Sequence, residues 1–402
     1  MIPSSCCARG LRLAGVALLG AAAVIAHADP FDNYGGRFHA ITPPPVAPGS
    51  FGVAADAMPD GRCVAVTGST VFIETAVGSS AFTPAATIDP ALFSGPTDPG
   101  FIRVSPAGTR VAVGAGFGKP VIIFDGSLLD PVTPTTLSVA NAARFDVSHF
   151  DAAWLDETQL ALSAGAFGSP AFVTLLDVTS DPSAPTNPVI VSNIDGASAG
   201  VAFDSAGALY TGNGFDNSPG TPRTSRTGTI KRFAPDQWAV GADYESQGHP
   251  VVELLSANSL VFDAAGDLLI GGGDFSQGQT GFVGVVRAGA LAAAIVGPVA
   301  LSPANRGHIR RLDPIGDGSG FLGVRVNRAT GELLITGAPV WFTTSGRRPG
   351  DLTGDGAVSA ADLVRVLNVF GSADRLADLT GDGVADSADL AVILNAWTGV
   401  AP

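Results

Sequence analysis

Basic residues are scarce in this chain. Only 22 Lys and Arg stand against 36 Asp and Glu, which gives a formal net charge of −14 at pH 7. A surface with that excess of acid repels phosphate backbones, so nucleic acid is excluded as an expected partner. The same excess favours association with hard cations, which prefer oxygen ligands.

Charged residues of either sign make up only 14% of the sequence, whereas hydrophobic residues make up 46%. This balance excludes disorder as the main state and also excludes a coiled coil. Glycine (52) and proline (29) together account for about a fifth of the 402 residues. Such a composition favours many short strands joined by tight turns, and the length suggests two or three domains.

Cysteine is rare, with three in the chain, and Cys6 and Cys7 fall in a segment that we interpret as a signal peptide, residues 1–28. There an apolar run follows two arginines and ends in an A-x-A cleavage pattern at Ala26–Ala28. No second hydrophobic segment of spanning length follows. We therefore expect a secreted, extracellular protein that has no transmembrane segment in its mature form and, with only Cys63 left, no internal disulfide.

A loose repeat occupies the region from about residue 50 to residue 345. Each copy has an alternating apolar strand, a tight turn, a second strand and then a third. The turn glycines are 47, 99, 59 and 65 residues apart, and they are Gly61, Gly108, Gly207, Gly266 and Gly331. The longest gap spans two copies, because a glycine-free copy at Asp151–Thr158 lies midway.

A period near 50 residues with three or four strands in each copy is typical of a β-propeller. A β-sandwich also uses short strands and tight turns, but six copies of one pattern favour the propeller. We predict a mainly β fold for residues 29–345, with six blades, or seven if residues 31–50 add a partial blade. The turn units, Gly200–Tyr210 above all, resemble those of NHL-type, YncE-like and gluconolactonase-like propellers.

Polar residues stand just before several of the first strands, where they would ring one mouth of the propeller axis. Gluconolactonase-like propellers bind a catalytic metal with acidic and amide residues from that region, so the resemblance implies a ligand site there. The candidates are Asp98, His149, Asp151, Asp195, Asn258 and Asp317. Loop Asp and Asn also form turns, which is the simpler interpretation.

We assign no catalytic residue. Gly196–Gly200 fits the G-x-S-x-G motif, but a strand follows it, and a nucleophile elbow needs a helix at that place.

The C-terminal region repeats itself with an offset of 27 residues. Asp351–Asp362 matches Asp378–Asp389, and the match continues into the following segments, where Phe370 corresponds to Trp397. Each half reads as an acidic 12-residue loop followed by a helix with one apolar face. We expect the two helices to bury those faces against each other.

The loop spacing is that of an EF-hand calcium loop, with oxygen ligands at positions 1, 3, 5, 7, 9 and 12 and Gly at position 6. In the first loop the ligands would be Asp351, Thr353, Asp355, the Ala357 carbonyl, Ser359 and Asp362. In the second they would be Asp378, Thr380, Asp382, the Val384 carbonyl, Asp386 and Asp389. The sequence therefore predicts two Ca²⁺ ions; a solvated acidic loop is the alternative.

The paired loop-helix units resemble a type I dockerin, because Asp replaces Glu at position 12 and Pro349-Gly350, not a helix, precedes the first loop. The resemblance implies a dockerin-like domain at residues 351–402 after a linker at 346–350. It also implies a cohesin-like or cell-surface protein partner and a place in polysaccharide breakdown, with carbohydrate as a further ligand.

Three functions fit these features, and we favour the first of them. The first is a secreted calcium-binding protein whose propeller serves as a binding or scaffold domain. The second is an extracellular carbohydrate-active enzyme, a polysaccharide hydrolase or lyase, with its active site in the propeller. The third is a structural protein of the cell surface. Convergent carboxylates on the propeller axis would favour a glycosidase.

The signal-peptide interpretation makes a direct prediction. Mass spectrometry of the secreted protein should find Asp29 at the N-terminus, because cleavage follows the small residue Ala28. Recovery of the protein only inside the cell with Met1 in place would contradict it.

Overall fold

The structure is a computed structural model of the chain. It describes residues 39–40, 54–77, 79, 81–95, 99–116, 118–165, 170–194, 200–212, 229–252, 257–274, 279–296, 322–329, 331–337, 341–346, 350, 352, 358–372, 377, 379 and 384–398. The predicted signal peptide lies outside these residues.

The described strands are short and follow one another closely along the chain. They are β1 (His39–Ala40), β2 (Ala54–Ala57), β3 (Cys63–Thr67), β4 (Thr70–Glu74), β5 (Phe82–Ile88), β6 (Phe101–Val104), β7 (Arg110–Gly114), β8 (Val121–Asp125), β9 (Thr135–Leu137), β10 (Ala142–Phe145), β11 (Asp151–Trp154), β12 (Gln159–Ala164), β13 (Ala171–Asp177), β14 (Val189–Ile194), β15 (Val201–Phe203), β16 (Leu209–Thr211), β17 (Ile230–Phe233), β18 (Ala242–Asp243), β19 (His249–Val252), β20 (Ser259–Phe262), β21 (Leu268–Asp274), β22 (Gln279–Val286), β23 (Leu322–Asn327), β24 (Glu332–Gly337) and β25 (Trp341–Gly346).

Helices are few and short. They are α1 (Pro235–Trp238), α2 (Tyr244–Gln247), α3 (Ala288–Val296), α4 (Ala360–Asn368) and α5 (Ser387–Asn395). None of these helices has the length and hydropathy that crossing a bilayer requires.

The strands of the described residues form six sheets, with the orders β2-β3-β4-β5-β9, β6-β7-β8-β10, β11-β12-β13-β14-β18, β15-β16-β17-β19, β20-β21-β22 and β23-β24-β25-β1. Five sheets have four or five strands, and β20-β21-β22 has three. Neighbouring strands are antiparallel, apart from the parallel pairs β5–β9 and β14–β18. The first strands β2, β6, β11, β15, β20 and β23 contact one another in that order, and β23 contacts β2. The part of the chain that contains these sheets is therefore a β-propeller.

The hydrophobic core consists of separate clusters, each between two successive sheets. Residues of the first two sheets form one cluster, and four further clusters join each sheet to the next around the axis. A small cluster of Ala55, Cys63, Ala65 and Leu334 joins the last sheet to the first. Because each sheet is covered on both faces, its middle strands are continuous apolar runs, as in the fully buried β3. The alternation expected from the sequence fails in these strands for that reason.

The predicted turn glycines occupy equivalent positions. Each lies between the first and second strands of its sheet and has a left-handed backbone, with φ of 90° at Gly61 and 73° at Gly108. Gly207, Gly266 and Gly331 have φ of 78°, 79° and 73°. Only glycine adopts this conformation without strain, so the repeat period read from the sequence is confirmed.

Two helical units form the C-terminal region. Its small core pairs residues that are 27 positions apart, since Val358 and Ala385 are both buried, as are Val366 and Ile393. The units also exchange backbone hydrogen bonds, because Thr398 donates to Val358 (3.0 Å) and Gly371 donates to Ala385 (2.8 Å). The sequence repeat is therefore a structural repeat.

The predicted burial of the two helix faces is wrong for their outer positions. Leu367 and Phe370 are 51% and 50% exposed, and their counterparts Leu394 and Trp397 are 58% and 43% exposed. Each nine-residue helix fully buries one apolar side chain, Val366 or Ile393, because so small a core has room for little more.

Two glycines that each precede a first strand provide a matched test of the ring. A Cβ on Gly200 would lie 2.7 Å from backbone atoms of Ser259 and Leu260, whereas a Cβ on Gly100 would meet nothing closer than 3.7 Å. Gly200→Ala should therefore force β15 away from β20 and lower the free energy of unfolding by about 2 kcal/mol. Gly100→Ala should have little effect in the same urea titration. Equal stability of the two variants would show that β15 and β20 do not approach this closely.

Candidate functional site

A pocket of about 340 Å³ lies on the propeller axis. The last residues of all six first strands line it, so these strands run in the same direction along the axis. Its charged side chains are Asp56, Arg103, Arg325 and Arg328. We call this space the axial pocket.

Asp151 joins two of the arginines beneath the pocket. Its Oδ1 accepts a hydrogen bond from Nη2 of Arg325 at 2.9 Å and another from Nη2 of Arg103. All three side chains are buried, with 4%, 7% and 11% of the Asp151, Arg325 and Arg103 side chains exposed. One carboxylate therefore ties together the first strands β6, β11 and β23.

Backbone carbonyls fix the arginine side chains further. Arg103 donates from Nε to the Ala152 carbonyl at 2.8 Å and from Nη1 to its neighbour Ile102 at 2.7 Å. Arg325 donates from Nη1 to Leu260 at 2.8 Å and to Val324 at 2.9 Å. Both guanidinium groups are thus held in place before any ligand enters the pocket.

Asp56 lies in the pocket wall on β2 and is only partly exposed. Its carboxylate accepts hydrogen bonds from the amides of Val104 (2.8 Å) and Ala57 (2.9 Å). Burial raises the pKa of Asp56, and the positive charge of Arg103 opposes that rise.

Burial also raises the pKa of Asp151 from 3.8 to about 6, while Arg103 opposes the rise. The Val201 amide lies near enough to lower this pKa, yet no donor of the described residues reaches Oδ2 with hydrogen-bond geometry. The carboxylate is therefore ionised at neutral pH and becomes protonated under mildly acidic conditions.

Aromatic and aliphatic side chains complete the pocket. Trp154, Phe203 and Phe262 contribute to its walls, together with Val104 and Val326. The Trp154 indole is fixed by its Nε1 donating to the Arg103 carbonyl at 3.0 Å. The pocket thus combines a cationic base with apolar walls, a combination that suits small-molecule binding.

Of the candidate ligand residues predicted before the first strands, the structure brings Asp151 to the axis. Asn258 is buried at the start of its sheet, where its backbone N–H donates to the Gly271 carbonyl at 2.8 Å. Asp98, Asp195 and Asp317 lie outside the described residues. The axial pocket is formed at the opposite ends of the first strands from these candidates.

His149 is placed inside the second sheet and away from the pocket. Its Nε2 accepts from the Gly116 amide at 2.9 Å, and its ring packs edge-on against Phe101 at 5.5 Å between centroids. Burial lowers the pKa of His149, which keeps it neutral. These contacts hold the loop after β7 in place.

The sequence reasoning missed Asp56, Arg103 and Arg325. A signal was present, because each is a charged residue within an apolar strand at a similar distance before the turn glycine. Asp56 precedes Gly61 and Arg103 precedes Gly108 by the same five positions (61 − 56 and 108 − 103). An alternating strand pattern alone does not show which side chains point to the axis.

Five of the twelve predicted calcium ligands belong to the described residues, namely Ser359, Asp362, Val384, Asp386 and Asp389. The other seven, Asp351, Thr353, Asp355, Ala357, Asp378, Thr380 and Asp382, lie outside them. Among the described residues no group of three or more His, Cys, Asp or Glu side chains could hold a metal.

The two described position 12 carboxylates, Asp362 and Asp389, are buried and hydrogen-bonded to backbone amides. Asp389, at position 12 of the second loop, is fully buried and accepts from the amide of Leu379, at position 2, at 2.7 Å. This bond brings the two ends of the 12-residue loop together. Asp362 is buried in the same way and accepts from the Ser359 amide at 2.8 Å. The donor set fits a hard cation such as Ca²⁺.

No protein-family model matches the chain, and no curated protein matches it. Among solved structures, an iodide structure of a Trichoderma reesei enzyme of carbohydrate-active family AA12 is 12% identical, with a TM-score of 0.52 over 77% of this chain and 96% of that one. The calcium structure of that family's enzyme gives 11% identity and a TM-score of 0.50 over 77% and 95%. A gluconolactonase from Xanthomonas campestris is 13% identical, with a TM-score of 0.44 over 74% and 86%.

At these identities the similarity concerns the fold. The AA12 matches, which each cover 77% of this chain, support the propeller that the turn units led us to expect. The activities of those enzymes are not transferred to this chain by the fold alone.

The raised pKa of Asp151 predicts an unusual pH dependence of stability. Because this pKa rises from 3.8 to about 6 on folding, the stabilisation is complete below about pH 4 and is lost as the pH passes 6. Between about pH 4 and pH 7 the wild type should lose about 2 kcal/mol of unfolding free energy relative to Asp151→Asn, which has no proton to release.

Urea unfolding across this pH range measures the difference. Asp181→Asn is a suitable control, since the pKa of its exposed carboxylate is lowered by the Ser183 backbone and side chain. The control should lose as much unfolding free energy between pH 4 and pH 7 as the wild type does. An identical loss of unfolding free energy in Asp151→Asn would contradict the raised pKa.

Proposed function

We propose that this chain is a secreted, calcium-binding protein in which a β-propeller binds a ligand and a dockerin-like module attaches it to a partner. In this proposal residues 1–28 are the signal peptide, 29–345 the propeller, 346–350 the linker and 351–402 the module. The internal symmetry of the module, which presents equivalent apolar side chains outward, is the observation that carries the proposal.

We propose six blades for the propeller. The mutual contacts of the first strands, from β2 around to β23 and back to β2, support this count. So do the six apolar clusters, each between two successive sheets of the described residues. The pairing of β1 with β25 joins the two ends of the propeller sequence within one sheet.

Calcium would complete the module. Residues 350–402 carry eight Asp against Arg365 and Arg375, a net charge of −6 (2 − 8) that two Ca²⁺ ions would largely offset. The buried carboxylates Asp362 and Asp389 would contribute the position 12 ligands, and Ser359 and Asp386 the position 9 ligands. When bound, the metal supplies the charge that lets these carboxylates lie close together.

The exposed apolar positions would form the docking surface. Leu367 and Phe370 on one unit correspond to Leu394 and Trp397 on the other, at the same offset of 27 residues. Apolar side chains that together form a contiguous exposed patch mark interaction sites, and in this proposal these four form one. A cohesin-like or cell-surface protein is the partner that the dockerin resemblance implies, and carbohydrate is a further candidate ligand of the whole protein.

An extracellular carbohydrate-active enzyme is the second candidate function, and the structural similarity to AA12 enzymes favours it. The axial pocket gives it less support. A glycosidase needs two carboxyl groups facing the scissile bond, and here Asp151 is held by two arginines beneath the pocket while Asp56 is bound by backbone amides. We therefore favour a binding role.

Calcium should order the module in the full-length protein. Titration calorimetry should detect two bound Ca²⁺. Chelator should reduce the helix content, because a ligand that binds only the folded form stabilises it. Chelator should also change the near-UV dichroism of Trp397, which is the part of the signal that Trp397→Phe removes. Asp378→Ala should abolish one site. Asp374→Ala, which changes an acid between the two loops, is the matched control and should keep both.

A retention experiment with the same calcium and chelator conditions tests partner attachment. An immobilised cohesin should retain the calcium-loaded protein and release it in chelator, and replacing Leu394 and Leu367 together by Asp should prevent retention. Helix content that is the same in calcium and in chelator would contradict the calcium sites, and retention unaffected by the double variant would contradict this docking surface.

A further inference from the structure

We propose that the axial pocket binds a small organic carboxylate, whose anionic group contacts the pocket arginines and whose body packs on the aromatic walls. The inference rests on the binding role proposed for the propeller and specifies the chemical class of its ligand.

The charges around the pocket favour an anion. Arg103, Arg325 and Arg328 line it. Among the described residues, the carboxylates that interact electrostatically with these arginines are Asp56 and Asp151. Three positive charges against two negative ones leave one in excess. That excess is local, since the whole chain has a net charge of −14. A concave site of this kind attracts anions by focusing the field of its charges.

Arg325 has a hydrogen-bond donor that no described residue of the protein satisfies. Its Nη1 and Nη2 are engaged, but Nε is buried and has no acceptor among the described residues. A buried charged donor without an acceptor is costly. Because Arg325 lines the pocket, its guanidinium is the group that we expect a bound carboxylate to pair with. The planar guanidinium also matches the planar carboxylate better than it matches a spherical anion.

The dimensions of the pocket restrict the ligand. Its volume of about 340 Å³ lies near the lower end of the range for small-molecule sites. Trp154, Phe203 and Phe262 provide apolar surface beside the arginines. A single small molecule with one charged end and one apolar face fits both features, and an inorganic anion would leave the apolar walls uncovered.

Titration calorimetry of the full chain tests the ligand class, using benzoate and glucuronate with benzyl alcohol and glucose as their uncharged counterparts. We expect saturable binding of at least one acid and at least about tenfold weaker binding of its counterpart, because only the acid pairs with a guanidinium. The proposal is overturned if neither acid binds at millimolar concentration, or if the uncharged compounds bind equally well.

Variants locate the site. Arg325→Lys keeps the charge but loses Nε and should weaken binding about tenfold, and Arg328→Gln at the rim should weaken it about threefold. Arg144→Gln is the control, since Arg144 is an exposed arginine paired with Asp146 away from the pocket. Unchanged affinity in both pocket variants would place the binding elsewhere and overturn the proposal.

A further variant should strengthen binding. Asp151→Asn removes the carboxylate that competes with the ligand for both guanidinium groups. Once circular dichroism has shown that this variant is folded, we expect it to bind the ligand more tightly than the wild type at neutral pH. In the wild type the affinity should rise as the pH falls from 7 toward 6, because Asp151 becomes protonated. The other charged groups around the pocket are Arg103, Arg325, Arg328 and Asp56. Weaker binding in Asp151→Asn would contradict the proposal.

Cohesin retention distinguishes failure of this inference from failure of the proposed function. It depends on the module and should be the same in all pocket variants. Loss of carboxylate binding with retention intact would refute the ligand class alone.

Discussion

The propeller depends on one constraint, which is that each sheet must be covered on both faces. A sheet such as β2-β3-β4-β5-β9 has apolar residues on both faces, since every residue of β3 is buried. Two neighbouring sheets are needed to cover it, and only a closed ring supplies two neighbours to every sheet. The separate apolar clusters between successive sheets are the result. The joint between the last and first sheets contains the fewest large side chains among the described residues.

This arrangement explains why so much of the fold could be predicted from the sequence. The turn glycines are constrained by local backbone geometry, so their spacing is visible in one sequence and gave the repeat period. The calcium loops remain a prediction, and their pattern is equally local, because the twelve positions of each loop lie close together along the chain. The axial site is different. Asp151, Arg103 and Arg325 come from three sheets, and Arg325 is 174 positions from Asp151. Their meeting follows from ring closure, which no local pattern shows.

The two parts of the chain are stabilised in different ways. The propeller buries large side chains such as Tyr210, Phe101 and Phe233 almost completely. The C-terminal units share a core of small and medium side chains around Val366 and Ile393. Their acidic loops repel one another unless a cation lies between the carboxylates. Stability in the first part therefore comes from apolar surface, and in the second it would depend on the calcium concentration.

The position of β25 has a mechanical consequence. This strand is the last of the propeller, and it lies between β24 and β1 with antiparallel hydrogen bonds to each. A force pulling on the chain beyond residue 346 reaches β25 first and loads these two ladders in shear, so their hydrogen bonds resist together and do not open one by one. A protein held at its C-terminal end in flowing liquid would thus be anchored through a strand that is paired on both edges, not through a free edge strand.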